Sequence, residues 1–449
     1  MSRTTFRGGV HPNDCKKYSK DAPFEVLLPK NEVVLPLNQH IGKPAQPVVA
    51  KGDPVRMGQL IAQADGFISA NVHSSCSGTV KAIELRRNVL GVMVQSIVID
   101  NDGKFTPDPG IGSDRNYDKM TNQEIIDAVK WAGVVGLGGA GFPTNVKLLP
   151  KNPEEIKYII ANGAECEPFI TCDDQLMRCH APEIVEGMKI MLRLFPTAKG
   201  VILIEQNKPE AIAAMKKACE GTPNIEVLAA ETKYPQGGER SCISLVAGKH
   251  LKLGMLPADV GCIVDNVATV YAIYRAVCKT EPLYEKTITV TGDAVKEPKN
   301  LIVKIGTSFE ELVEFAGGIK DEIRLKKALC GGPMMGFSLA ELSTPVLKNN
   351  NALTLLTYDD VEDAQKQMTT CLRCGRCNNV CPLGLVPQMM AVAAEKRNYE
   401  RYEKKLYGME CIQCGSCTYV CPAKRPLMQL FKHAKAEITA AKKQQGGGK

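Results

Sequence analysis

No run in this 449-residue chain approaches the roughly 18 consecutive apolar residues of a membrane-spanning helix, which excludes a span of that kind. Met1-Ser-Arg-Thr-Thr-Phe-Arg-Gly8 lacks the apolar core of a secretory signal. The chain is therefore expected to stay in the cytoplasm. Net positive charge is missing from most of the length. The whole chain carries +7, but Lys396 to Lys449 holds 12 Lys and Arg against 4 Glu, or +8, leaving −1 for the rest. No nucleic-acid partner is expected. A basic end suits an acidic electron-transfer partner or an anionic membrane surface, although a solvated helix face and tail would look the same. With 44% hydrophobic residues the chain can bury real cores, and its length suits about three or four domains.

Cysteine is plentiful: 18 residues, which in a chain this long argues for a reducing compartment. Eight fall in two runs of one pattern, Cys371-x-x-Cys374-x-x-Cys377-x-x-x-Cys381-Pro382 and Cys411-x-x-Cys414-x-x-Cys417-x-x-x-Cys421-Pro422. This spacing holds [4Fe–4S] clusters, and in two-cluster proteins the fourth cysteine of each run serves the other cluster. One cluster is assigned to Cys371, Cys374, Cys377 and Cys421, the second to Cys411, Cys414, Cys417 and Cys381. Gly375 and Gly415 let the loops turn near the inorganic core, and Pro382 and Pro422 turn the chain away. Zinc takes separated Cys pairs and fits two evenly spaced quartets poorly.

The rest divides by pattern. Residues 1–22 form a polar, Gly-rich N-terminal arm in which His11 has no assigned role. Residues 23–110 read as short strands, Phe24-Glu-Val-Leu-Leu28, Pro47-Val-Val-Ala50, Gln59-Leu-Ile-Ala62 and Gly78 to Ile83, separated by turns. Gly52 to Gln59 followed by Ser77-Gly-Thr-Val80 resembles the lipoyl and biotinyl carrier sandwich, but Ile61 to Asn71 contains no lysine to bear a cofactor. The barrel-sandwich fold is expected without the swinging arm. Residues 118–285 alternate helix and strand, an α/β domain, with a helix at Asn122 to Trp131 and an all-apolar strand at Val201 to Glu205. Gly136-Leu-Gly138-Gly139-Ala-Gly141 lets backbone N–H groups approach an anion, with a following helix aimed at the same point and Lys147 as a point charge. Residues 286–352 suggest a small β-grasp domain of strand, strand and helix at Phe309 to Ala316, serving as a spacer. Residues 353–440 hold the clusters, with helices expected at Val386 to Leu406 and Met428 to Ala441, a helical ferredoxin. Residues 441–449, ending Gln444 to Lys449, read as a flexible tail. Cys242 and Cys262 are expected to be plain thiols; Cys166 and Cys172 lie near the Gly-rich site without a clear role.

Gly138-Gly139-Ala-Gly141-Phe-Pro-Thr, Asn162-x-x-Glu165-x-Glu167-Pro, Tyr234-x-x-Gly-x-Glu239 and Asn266-Val-x-Thr269 occur in this order in the NADH- and FMN-binding subunit of respiratory complex I. The chain is still more similar to the C subunits of Rnf ion-translocating complexes. Those share Gly8-Gly-Val-His-Pro12, Lys233-Tyr-Pro-Gln-Gly-Gly-Glu239, Gly331-Gly-Pro-Met-Met-Gly336 and both cysteine runs. The resemblance covers nearly the whole chain. It implies a Rossmann-like FMN/NADH domain and a β-grasp domain of the soluble ligand-binding (SLBB) type. Gly138, Gly139, Gly141 and Lys147 would surround a non-covalent FMN phosphate, and Asn162 and Asn266 would touch the flavin. Glu165, Glu167, Tyr234 and Glu239 would line the flavin and nicotinamide pocket, with Glu165 and Glu167 shaping it for hydride transfer. Phe169, Gly238 and Ala268 depart from the complex I pattern, which bears on the NADH contacts more than on the flavin contacts.

A nicotinamide exchanges two electrons and a cluster one, and a flavin can handle either. FMN with two clusters therefore implies a two-to-one electron converter, in which the protein supplies position and electrostatics. The expected role is a peripheral subunit at the cytoplasmic membrane face, exchanging electrons with NAD(H). Its expected partners are the membrane and peripheral Rnf subunits and an acidic ferredoxin-type carrier. The alternatives are an electron-wire and assembly subunit without a nucleotide, or a soluble flavin NADH dehydrogenase.

Overall fold

The structure, a computed structural model, describes residues 4–446. Its N-terminal part is a barrel sandwich, as expected. Val33–Pro36, Met93–Asn101, Gly78–Arg87 and Pro54–Val55 form one antiparallel sheet in that order. Gln46–Pro47, Leu60–Gln63 and Val72–His73 form the second. Val33, Leu35, Ile61, Val72, Ile97 and Ile99 fill the space between them at essentially zero exposure. At the tip where a carrier would bear its lysine, Phe67 stands 73% exposed.

Two domain boundaries shift. Phe24–Leu27 was expected in the barrel sandwich. It pairs in parallel with Lys299–Lys304 and closes one edge of the β-grasp sheet. Leu27 buries in that core beside Ile288 and Leu301; a strand's own pattern does not name the edge it will join. At the other boundary, Ala352–Leu356 was split between the β-grasp and cluster domains. It is a strand inside the six-stranded β-grasp sheet, paired with Glu285–Thr291 and Lys327–Cys330, and every residue of it is buried. The helix Phe309–Phe315 begins where expected, with Ser308 accepting from the Glu311 backbone N–H.

The flavin-type domain is a parallel sheet ordered Ile225–Ala230, Lys199–Glu205, Tyr158–Gly163, Cys262–Asn266. Both faces are covered. Ile159, Ala161, Ile202 and Ile204 point into a core shared with the helices Ala181–Leu194 and Val267–Cys278. Ile160, Leu203 and Val264 point the other way, onto Glu239–Ala247. Parallel strands buried on both faces must be apolar throughout, which is why Val201 to Glu205 was legible. The helix Asn122–Trp131 carries the Thr121–Glu124 capping box. The carboxyl ends of these strands present Asn162, Glu205 and Asn266 at one edge, where ligands of open α/β sheets bind.

In the cluster domain the repeat is visible as two matching turns. Gly375 and Gly415 have φ of 73° and 80°, and each is followed by a four-residue helix, Arg376–Asn379 and Ser416–Tyr419. The single helix expected over Val386 to Leu406 is divided. It runs Pro387–Glu395, stops where Arg397 takes φ 50°, and resumes as a π-helical turn at Arg401–Lys405. The break lets Met390, Ala394 and Tyr402 reach one core against Leu427 and Phe431. Residues 441–446 are not a tail: Leu427–Gly446 is one helix, with Lys442 paired to Glu403. Gly447 to Lys449 lie outside the described residues, as do Met1 to Arg3. No helix among the described residues is long and apolar enough to cross a membrane.

The N-terminal arm is woven between domains. The Gly9 N–H donates to the Val380 carbonyl (2.8 Å), Val10 pairs with Tyr234 (2.8 and 2.9 Å), and the Phe169 N–H donates to the Asp14 carbonyl (2.8 Å). A Cβ at Gly8 would lie 2.7 Å from the Cys381 carbonyl oxygen, so glycine is needed for that approach.

Candidate flavin and iron–sulfur site

The Gly-rich loop opens above the strand ends. Its Gly136 N–H donates to the Phe142 carbonyl (2.9 Å) and its Leu137 N–H to the Thr269 hydroxyl (3.0 Å). The glycines do different jobs. A Cβ at Gly138 would lie 2.9 Å from Asn266 Nδ2, whereas Gly139 faces open space. Gly141 has φ 72° and sits against the His40 backbone, so its own turn and packing require glycine. The helix after the loop, Thr144–Lys147, has only four residues. Lys147 donates to Asp265 Oδ1 (2.7 Å) and the Val264 carbonyl (2.8 Å), beside the loop rather than across it.

Asn162 donates to the Gly237 carbonyl (2.8 Å), tying the loop Lys233 to Glu239 to the sheet. Asn266 caps its helix by accepting from the Ala268 N–H (2.8 Å) and donates to Asp173 Oδ2 (2.6 Å). Glu239 stands exposed in the first turn of its helix. The Glu165 side chain is 2% exposed, accepts from the Asp173 N–H (2.7 Å) and lies 3.5 Å from the Lys16 ammonium. Burial holds Glu165 well above the usual carboxylate range; Lys16 pulls it down and Asp173 pushes it further up. Glu167 accepts from the Met334 and Met335 N–H groups (2.6 and 3.1 Å), binding the Gly331 to Gly336 turn, and burial lifts it to about 7. Phe169, where complex I has glycine, takes φ 73° and stacks on Tyr18. Cys166 accepts from the Gly237 N–H (3.2 Å) and Cys172 donates to the Asn351 carbonyl; Cys242 and Cys262 are buried.

Sequence patterns missed Lys16, Asp173, Lys208 and Asp265. The adjacent acids after Cys172, at a helix start, were a usable signal. Nothing marked Lys16, which meets Glu165 across 149 positions. The site suits a flavin nucleotide on three counts. Gly139 leaves room for close approach, while Glu165 Oε2 and Asp265 Oδ2 are buried without hydrogen-bond donors. Ribityl or ribose hydroxyls and ring N–H groups supply donors of that kind.

Cysteines from both runs gather in one place. Cys381, Cys411, Cys414 and Cys417 line one cavity, otherwise walled by side chains such as Leu385, Met390, Met428 and Phe431. None is in a disulfide. Burial raises Cys411 to about 11 and Cys417 higher still, with neighbouring thiols adding to the effect. Thiols in so dry a place ionise only when a metal takes their charge. Cys377 and Cys421 adjoin, while Cys371 and Cys374 are exposed, so the first quartet lies nearer solvent. Tyr234 joins the two halves. It is 2% exposed on the flavin side, and its hydroxyl donates to the Cys414 carbonyl at 2.7 Å.

Residues 129–275 match the Nuo51 FMN-binding domain and residues 364–422 the 4Fe-4S dicluster domain. Residues 4–104 match the RnfC barrel sandwich hybrid domain and residues 287–338 the SLBB domain. Fold and site thus define an iron–sulfur flavoprotein, an oxidoreductase subunit that uses FMN and [4Fe–4S] clusters. The chain is 44% identical over 437 residues (97% of it, 94% of the relative) to the C subunit of the proton-translocating ferredoxin:NAD(+) oxidoreductase complex of Clostridium ljungdahlii. It is 39% identical to the C subunit of the Na(+)-translocating ferredoxin:NAD(+) oxidoreductase complex of Acetobacterium woodii (98% of each chain). It is 40% identical to the C subunit of the ion-translocating oxidoreductase complex of Rhodobacter capsulatus (97% and 83%). The chain belongs to this family of C subunits, and other subunits of such a complex are its partners.

Proposed function

We propose that this chain is the electron-converting subunit of its complex at the cytoplasmic membrane face, linking NAD(H) to one-electron carriers. The observation that carries this is the buried Tyr234–Cys414 hydrogen bond. It ties the nucleotide-side loop to a cysteine of the enclosed quartet, so the two sites are in direct contact. FMN would lie at Gly138, Gly139, Asn162 and Asn266, with Gly141 shaping the loop. Lys147, Tyr234 and Glu239 border it, and NADH would approach Glu165 and Glu167. When bound, FMN supplies two-electron exchange with nicotinamide and one-electron exchange with the clusters. The protein positions these groups, and its apolar cavity keeps water from the inner quartet.

The acidic partner reading narrows in place. Of the cations beyond residue 395, Lys404 pairs with Glu400, Arg425 with Glu395 and Lys442 with Glu403, and Lys435 donates to the Met409 and Cys411 carbonyls. Lys424 instead lines an open hollow with Tyr419 and Cys421, joined there by Arg376 from the first cysteine run, at the exposed quartet. That hollow is the port for a carrier with carboxylates around its cofactor. Anaerobic full-length protein, mixed with NADH and an acidic two-cluster ferredoxin, should exchange electrons more slowly as salt rises, since screening acts within about 8–10 Å. Reversing Arg376 and Lys424 to Glu should slow exchange about tenfold, as weakened steering does, and leave reduction by NADH unchanged. A chain that NADH does not reduce would overturn the converter role. Exchange indifferent to salt and to both reversals would overturn the port.

A further inference from the structure

The arm sends one buried cation into the nucleotide site. Lys16 is 6% exposed. Its ammonium donates to the carbonyls of Glu165 (2.9 Å) and Ile170 (2.5 Å), lies 3.4 Å from that of Glu167, and is 3.5 Å from Glu165 Oε2. These carbonyls bracket the whole turn that carries both pocket carboxylates. The turn needs holding. Glu165 has φ 46° and Phe169 φ 73°, a region that side chains with a Cβ disfavour. An ammonium has three donors and no acceptor, and this one finds them a matching set of carbonyl oxygens.

Lys16 also sets the charge around Glu165. Besides Lys16, the charged groups facing it are Asp173 and Asp174 from the following helix and Lys208 from the turn after the strand Lys199–Glu205; Lys208 also faces Glu205. Lys16 and Lys208 are the cations that act on Glu165, while Lys286 also acts on Asp173 and Arg178 on Asp174. Lys208 is engaged with the Ala164 carbonyl (2.7 Å) and Asn207 (2.9 Å). The arm is anchored on both sides of Lys16, by the Val10–Tyr234 pairing and by a Ser19–Thr171 hydroxyl hydrogen bond of 2.8 Å.

We propose that Lys16 is a positioning residue of the nicotinamide site, and that the arm is a working part of that site. Lys16 holds the Glu165 to Phe169 turn in shape and keeps the Glu165 side chain placed to accept hydroxyl donors from a dinucleotide. This rests on the reading of Glu165 and Glu167 as pocket residues.

The test compares wild type, Lys16→Met and Lys16→Arg as full-length anaerobic protein. The readouts are flavin content, NAD⁺ affinity by calorimetry, and the pH profile of kcat/KM with NADH and a one-electron dye. Lys16→Met should keep flavin and clusters. It should weaken NAD⁺ and raise the KM for NADH about tenfold, the scale of one lost charged hydrogen bond, with kcat changed less. Its acid limb should move to higher pH, because Glu165 loses its nearest cation. Lys16→Arg keeps the charge but fits the carbonyls poorly, so affinity should fall with little movement of the limb. Wild-type affinity and an unmoved limb in Lys16→Met would overturn the proposal. If that variant does not fold, unchanged NAD⁺ affinity in Lys16→Arg would do so. Absence of NAD⁺ binding in the wild type would instead overturn the pocket reading on which the proposal rests.

Discussion

Cys381→Ser should remove the cluster held mainly by the other cysteine run and spare the cluster of its own. Cys381 stands with Cys411, Cys414 and Cys417 around one apolar cavity, whereas Cys421 adjoins Cys377. A serine hydroxyl is a hard, weakly acidic ligand, a poor replacement for a soft thiolate on iron. Met390, Met428 and Phe431 wall the same cavity, an apolar setting that disfavours water as a replacement ligand. Iron should fall from about eight to about four per chain, by the stoichiometry of two cubanes. The remaining electron paramagnetic signal should be that of the quartet Cys371, Cys374, Cys377 and Cys421. Because the lost cluster adjoins Tyr234, NADH should still bleach the flavin while reduction of the surviving cluster becomes slow. Loss of the other cluster, or of neither, would refute the crossover assignment.

Gly139→Val should yield folded protein with both clusters and almost no flavin. Among the loop glycines this position discriminates best. Valine at Gly141 would strain a φ of 72° and press on His40, and valine at Gly138 would displace Asn266, so either change damages the protein itself. Gly139 has nothing within 4 Å of a built Cβ. The protein tolerates the new side chain there, and only a bound nucleotide would meet it. A clash at the upper end of ordinary overpacking, about 3 kcal/mol, is roughly a hundredfold in affinity. Flavin content and cluster absorbance of the purified variant check this together. Full flavin in Gly139→Val would make the loop a plain turn. Lys147→Ala should weaken flavin binding less, since the Lys147 ammonium is held by Asp265 and Val264 beside the loop.

Features set by short covalent spacing were legible in the sequence. The doubled cysteine run, its two turning glycines, the Gly-rich loop and the apolar strand Lys199–Glu205 each carry their reason within a dozen residues. What escaped depends on distant partners. Lys16 looks like any arm lysine until Glu165, 149 positions away, comes beside it. Phe24–Leu27 alternates like a sandwich strand, and only the free edge at Lys299–Lys304 claims it for another sheet. Val386 to Leu406 is rich in helix formers, yet core packing of Tyr402 overrides propensity and breaks the helix at Arg397. Residues 441–446 have the composition of a tail but extend the helix that the cluster core begins.

The proposed route runs from NADH through a flavin to two clusters within one chain. Its most direct test is an anaerobic NADH titration of the purified full-length protein, followed by visible absorbance and by electron paramagnetic resonance. The expected result is loss of flavin absorbance together with cluster signals that grow with added NADH, and no cluster reduction in flavin-depleted protein until FMN is restored. Clusters that accept electrons only from a chemical reductant, with the flavin present and unchanged by NADH, would contradict it.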